Sequence, residues 1–234
     1  NGSGSSNTDG SINSTATSAE VTAGFSIVTY TGNATEGATV GHGLSKAPDV
    51  IMLKKRSGTS GWYMYHSALG ATKNIEMQVN SAASTTSNIW NDTAPTADVF
   101  SLGNNAAVNG NNATFVTYHF HSVDGYSKFG HYTGNGNAAG PFVHLGFRPM
   151  FVLCKNTDAS DGWQIFDSKR STFNVMNNRL LVDLTNAEQT NTDAYDFTSN
   201  GYKIRTSDGN FNTDGNTYIY MAFAEVPLKY ASAR

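Results

Sequence analysis

GFSIVTYTGN, residues 24–33, returns at residues 125–135 as GYSKFGHYTGN, its start displaced by 101 positions (24 to 125). Both strings alternate or crowd β-branched and aromatic residues, and both end in a Gly-Asn pair of the kind that stops a strand. The second string holds one residue more. With a glycine inside it at Gly130, the extra residue predicts a β-bulge there. Working outward, Pro48-Asp-Val-Ile-Met-Leu-Lys54 matches Pro149-Met-Phe-Val-Leu-Cys-Lys155, and Gly61-Trp62 matches Gly162-Trp163, all at the same displacement. Phe100-Ser-Leu102 resembles Tyr202-Lys-Ile204, and Val108-Asn109 resembles Phe211-Asn212. The strings end at Thr114–Phe120 and Thr217–Phe223. Landmarks kept in order at nearly constant spacing are the mark of an internal duplication.

The duplicated stretch predicts an all-β fold: two tandem, pseudo-symmetric antiparallel β-sandwich units of jelly-roll or lectin-like type, packed together. Seven strands are expected in the first copy, near 25–31, 38–42, 49–55, 62–67, 74–79, 98–102 and 114–122. Counterparts are expected near 126–132, 141–144, 150–155, 163–167, 179–184, 201–206 and 216–224. The unbroken apolar runs Val50–Leu53 and Phe151–Cys154 predict central strands buried on both faces. Thr185–Thr192 is the best candidate for a helical turn. The expected organisation is an extended Ser/Thr/Asn/Gly linker over 1–23, repeats at 24–124 and 125–227, and a tail at 228–234. The copies are expected to meet at a tight Asp124-Gly125 turn.

Charged residues are only 14% of the 234-residue chain, with a net charge of −3. No basic stripe exists to attract a phosphate backbone, so nucleic acid is not an expected partner. No apolar run approaches the ~20 residues of a membrane span. The opening NGSGSSNTDGS has no basic or hydrophobic region and is read as a linker within a longer or processed chain rather than a signal peptide. The single Cys154 cannot build a disulfide framework and is read as a small buried hydrophobe.

Several residues invite a functional reading. Trp90 has no counterpart in the second copy and sits beside Asn88, Asn91 and Asp92, so it is the first candidate for glycan contact. His119 and His121, two apart on a strand, share a face, and the second copy has Ala222 and Ala224 there. A strand carrying His-x-His cannot complete a metal shell alone, although three chains around a trimer axis can. The plainer reading is a pair of surface or interface histidines, a third is pH sensitivity, since histidine titrates near ~6.5, and no metal or cofactor is expected. Trp62 and Trp163, at matching positions, are read as core aromatics ahead of sugar-binding platforms. The Asp- and Asn-rich turns at 158–162 and 210–215 are read as turn chemistry ahead of calcium loops. No paired-carboxylate, nucleophile-elbow or phosphate-loop motif stands out, so the chain is not read as an enzyme.

The strings GFSIVTYTGN, TVGHGLSKAPDVIMLK, DGYSKFGHYTGNGNAAGPFVHLGFRPMFVLCK and YIYMAFAEVPLKYASAR resemble the C-terminal repeat domain of tail-fibre-like proteins of marine tailed phages, including phages of cyanobacteria and of abundant ocean bacteria. In that family the domain often follows a concanavalin A-like lectin module, and the likeness runs from Gly24 to Arg234. Tyr118-His-Phe-His121 departs from the pattern, where small or apolar residues are expected. The resemblance implies a virion tail or surface-appendage location and a role in adhesion to a host-surface glycan or protein. The partners it implies are other copies of the chain, a trimer first, and other virion proteins. The alternatives are a carbohydrate-binding module of a secreted protein, or an architectural spacer, filament or decoration subunit.

Overall fold

Repeated short runs of β-branched and aromatic residues, broken every few positions by Gly, Asn, Asp or Pro, leave the backbone little choice but paired strands. The computed structural model describes residues 3–190 and 192–226. Two compact units form: one holds the chain to Met77 and Ala83–Ser122, the other Gln78–Ala82 and the chain from Val123.

The first unit contains β1 (Ala16–Glu20), β2 (Phe25–Thr31), β3 (Ala38–Gly41), β4 (Val50–Lys55), β5 (Trp62–His66), β6 (Lys73–Glu76), β7 (Ser84–Thr85), the one-turn helix α1 (Ser87–Trp90), β8 (Val99–Leu102), the one-turn helix α2 (Ala106–Asn109) and β9 (Thr114–Phe120). A seven-stranded sheet runs β1-β2-β9-β4-β5-β6-β7, and a two-stranded sheet pairs β3 with β8. All these ladders are antiparallel. Alternate residues of the large sheet, Val28, Tyr30, Ile51, Leu53 and Phe115, meet Val40, Phe100, Leu102, Trp90 and Val108 in one core. That is a sandwich, filled as its side-chain period of two requires.

The second unit contains β10 (Ser127–Thr133), β11 (Phe142–His144), β12 (Pro149–Asn156), β13 (Gln164–Asp167), β14 (Leu180–Leu181), β15 (Tyr195–Thr198), β16 (Gly201–Ile204), the one-turn helix α3 (Gly209–Asn212) and β17 (Thr217–Ala224). Its sheets run β10-β17-β12-β13-β14 and β11-β16-β15. The order β10-β17-β12-β13 repeats β2-β9-β4-β5, and β11-β16 repeats β3-β8. The core is mainly aromatic, with Tyr132, Phe166, Tyr195, Phe197, Tyr202, Phe211 and Tyr218 grouped around Cys154. Cys154 is free and buried, as a small hydrophobe should be.

Each unit is tied by the same buried carboxamide. Asn109, at the end of α2, accepts the Asn33 N–H on Oδ1 (3.0 Å) and donates from Nδ2 to the carbonyls of Thr35 (2.9 Å) and Gly103 (3.2 Å). Asn212, at the end of α3, accepts the Asn135 N–H (2.8 Å) and donates to the carbonyls of Asn137 (2.7 Å) and Thr206 (2.8 Å) and to Asn135 Oδ1 (3.0 Å). Both asparagines have no exposed surface. The glycine before each turn is forced: a Cβ on Gly32 would stand 2.5 Å from the Gly110 carbonyl oxygen, and one on Gly134 2.1 Å from that of Thr213. Beside each amide a tyrosine hydroxyl reaches the one-turn helix, Tyr30 to the Val108 carbonyl (2.6 Å) and Tyr132 to that of Phe211 (2.8 Å). Each tyrosine ring stacks on the closing strand, Tyr30 on Phe115 and Tyr132 on Tyr218.

The all-β expectation holds, and the corresponding central strands β4 and β12, one in each unit, are buried on both faces at Val50, Ile51, Leu53, Val152, Leu153 and Cys154. Three expectations need correction. Residues 16–20 are not linker but a strand, paired with β2, and Ile12 before them enters the core. Their alternating small and polar residues suit a sheet edge, which a composition count cannot distinguish from a linker. Gly130 carries no bulge, since β10 and β17 pair in unbroken register. A Cβ on Gly130 would stand 2.7 Å from the Tyr220 hydroxyl. The extra residue is taken up earlier, where the Tyr126 carbonyl accepts from Ala224 as the Gly24 carbonyl accepts from His121. The register shift in this sheet falls instead between Pro149 and Phe151. Thr185–Thr190 is not helical; the helical turns are α1, α2 and α3, each capped by a polar side chain: Thr86, Asn105 and Asp208. The expected tail at 228–234 lies outside the described residues.

Replacing Asn109 or Asn212 by Ala strands buried backbone carbonyls and a buried N–H together. Each variant is expected to lose about 3 kcal/mol, read from urea unfolding midpoints against the wild-type chain.

Candidate functional site

Trp90 ends α1, whose N-cap Thr86 accepts the Asn88 N–H (3.4 Å) and whose C-cap Asn91 takes the left-handed conformation (φ 54°). The turn is held to the sheet layer by the Gly103 N–H, which donates to the Ile89 carbonyl (2.8 Å). This places the indole inward, edge-on to Tyr65 at 6.0 Å, with 1% of its surface exposed. A face so buried cannot be offered to a sugar, so Trp90 is a core residue and not a glycan contact. Its apolar bulk on a four-residue helix is what sequence alone takes for an exposed loop aromatic.

His119 and His121 are also buried, with 0% and 7% exposure, rather than on the surface. His119 lies on the core face of β9. Its Nε2 is 2.8 Å from Thr117 Oγ1, and the Thr117 hydroxyl also lies 3.4 Å from the Val28 carbonyl. Its Nδ1 has no partner, and neither has Ser26 Oγ, which faces it across the β2–β9 ladder. His121 follows the strand, donates from Nδ1 to the Ser122 carbonyl (3.0 Å) and packs against Gly24, where a Cβ would come within 2.9 Å of the ring. Sequence reading missed their third member, His42, which stacks on His119 at 5.5 Å between ring centroids. Burial lowers the pKa of His42 and of His119, more strongly for His119. In the second unit the ladder positions of His42, His119 and His121 are held by Leu145, Ala222 and Ala224. Among the described residues no three His, Cys, Asp or Glu side chains converge to hold a metal.

Trp62 is the indole that reaches the surface. It opens β5, half-buried, 6.1 Å from the ring of Tyr118. Lys54 lies opposite it in the β4–β5 ladder, with Nζ 5.7 Å over the Trp62 ring and donating to the Ser60 carbonyl. The matching pair in the second unit is buried. Trp163 is 1% exposed, and its backbone N–H donates to Asp183 Oδ1 (2.8 Å). Lys155 has no exposed surface. Its three ammonium hydrogens are matched by three backbone carbonyls, of Asn156 (2.6 Å), Asn80 (3.1 Å) and Ala159 (3.2 Å). Burial pushes its pKa down to about 8, against the opposing pull of Asp161 and Asp183. The Asp-rich turn at 158–162 is likewise structural: Asp158 accepts the Thr217 N–H (2.7 Å) and Asp161 accepts from Asn156 Nδ2 (2.7 Å).

One family model, described as a domain of unknown function (DUF7483), matches residues 1–227. No curated protein and no solved structure matches the chain.

Two outcomes separate these structural roles from ligand contact. Trp90→Ala is expected to cost about 3–5 kcal/mol of stability through the cavity it leaves, seen as a lowered unfolding midpoint with no ligand present. Lys155→Met is expected to cost about 2–4 kcal/mol by orphaning the three carbonyls. Because the folded-state pKa of Lys155 lies below its unfolded value, the unfolded chain binds more protons between about pH 8 and pH 10.4. Wild-type stability should therefore gain on Lys155→Met as pH rises through that window, measured by urea titrations at each pH.

Proposed function

Because the chain belongs to DUF7483, a family described by no activity, we propose its function from what its polar interior is used for: it is a structural and adhesive module of a virion appendage, the distal part of a tail fibre or similar element, that contacts a host surface. The observation that carries this reading is the employment of the buried polar groups. Asn109, Asn212 and Lys155 spend their hydrogen-bonding capacity on backbone groups of loops and turns. Such bonding stiffens loops on a β scaffold, and loops positioned by a rigid scaffold are where adhesins carry recognition. The family resemblance of the repeated strings points the same way. The shared strand order, and the matching Asn109 and Asn212 networks, support reading the two units as divergent copies of one.

On this reading the module is not an enzyme, works as a homo-oligomer with threefold symmetry as the first choice, and gains strength from several weak contacts made at once. The contact is a host-surface glycan or protein. A second reading, a carbohydrate-binding module of a secreted protein, is favoured by the half-buried Trp62, tilted against Tyr118, since an aromatic face that reaches the surface suits a pyranose.

Fluorescently labelled full chain, applied to a panel of marine bacteria and cyanobacteria, tests the proposal. Binding to the surface of some strains is expected, with the oligomer exceeding the separated monomer by about 10²-fold or more. Release of reducing ends from envelope polysaccharide would overturn the non-enzymatic reading. Millimolar sugar binding by monomer, with no oligomer detected by sedimentation, would favour the second reading.

A further inference from the structure

His42 follows β3 and has both ring nitrogens engaged. Nδ1 accepts the Leu44 N–H (3.2 Å), and Nε2 donates to the Thr96 carbonyl (3.2 Å). A neutral imidazole offers one acceptor and one donor, so this arrangement uses both and fixes the tautomer. The backbone N–H of His42 donates to the Asp98 carbonyl (3.0 Å), and His42 and Leu44 have no exposed surface. Gly43 between them has φ +73°, and a Cβ there would stand 3.1 Å from Thr17 Cγ2 and 3.4 Å from Ala19 Cβ. Strand β1 therefore rests on the turn that the imidazole clasps. The second unit makes the same turn with an apolar residue: Leu145 precedes Gly146 (φ +86°), and its N–H donates to the Asn200 carbonyl (2.9 Å).

We propose that His42 is an acid-sensitive clasp: a proton added at Nδ1 turns the acceptor of the Leu44 N–H into a second donor facing it, opens the turn at 42–44 and loosens β1 from the first unit. The groups around the ring are Asp98 from the loop before β8, Asp9 from the N-terminal segment, His121 from the end of β9, and His119 stacked on the ring. The two aspartates favour the charged ring, His121 opposes it, and burial, the largest influence, keeps it neutral. His119 is held neutral by its own burial and then by His42. The sign follows. The pKa of His42 is lower folded than unfolded, so the unfolded state takes the proton first. The clasp is intact above the unfolded value of ~6.5 and weakens as pH falls below it. The second unit, with Leu145 in place of His42, serves as an internal control.

Amide hydrogen exchange on the full chain between pH 7.5 and pH 5, corrected for intrinsic rates, tests this. Protection at Leu44 and across Ala16–Glu20 is expected to fall, by up to about tenfold per pH unit below ~6.5, while Leu145, whose N–H donates to the Asn200 carbonyl, keeps its protection. In His42→Asn the side-chain oxygen can still accept the Leu44 N–H and cannot titrate, so protection there should stay level with pH. An equal acid loss in His42→Asn, or no loss in the wild type, overturns the proposal. Should that variant fail to fold, nitrogen-15 shifts of the wild-type His42 ring decide. An unprotonated Nδ1 at pH 7.5 that gains its proton as Leu44 loses protection is the expected result. A protonated Nδ1 at pH 7.5, or protonation with Leu44 still protected, overturns it.

Discussion

The carboxamide of Asn109 joins the turn after β2, the loop after β8 and the end of α2, three stretches separated by up to 76 residues in the chain. Asn212 does the same for the second unit. These turns carry backbone groups into the interior, where an unmet N–H or carbonyl is costly. One amide, with an acceptor and two donors, settles several at a point. The neighbouring tyrosine hydroxyl settles another, and the glycine of each Gly-Asn pair lets the backbones approach closely enough for it. The stacking of Tyr30 on Phe115 and of Tyr132 on Tyr218 then fixes the first strand against the last. The Gly-Asn string and the distant Val-Asn or Phe-Asn pair are thus one physical device.

That device explains why so much of the fold can be read from the chain. Most strands of both units fall within a few residues of expectation because their apolar runs and turn residues are local signals, while β7 and β15 lie outside the expected set. What sequence does not carry is burial decided by tertiary context. Residues 16–20 have a linker's composition, yet β2 offers them an open ladder and they pair with it. Trp90 looks exposed among Asn and Asp, yet a single capped turn of helix rotates it into the core. His119 and His121 share a strand period with core residues as well as with surface ones, and only the partner sheet decides between them. Their companion His42 is 77 residues from His119, so no local pattern joins the two.

The two units also show how one β framework tolerates different interiors. The ladder positions of His42, His119 and His121 in the first unit hold Leu145, Ala222 and Ala224 in the second. Lys54 donates near the surface beside a half-buried indole, whereas Lys155 is drawn wholly inside beside a buried one. In each exchange the strand order is unchanged and the polar burden moves. An imidazole needs a donor and an acceptor found for it, and His42 finds them in Thr96 and Leu44. An ammonium needs three acceptors, and Lys155 finds three carbonyls.

Such exchanges are costly compared with an apolar core, because burial opposes charge on His42, His119 and Lys155 alike. Apolar side chains at the same ladder positions in the second unit show that the strand order does not require histidine. A buried group whose nitrogens both have assigned roles couples its protonation to the backbone it holds, which leucine cannot do. The burial of histidine in one unit and its absence from the matching positions of the other therefore gives the two sandwiches different responses to acid while leaving their ladders alike.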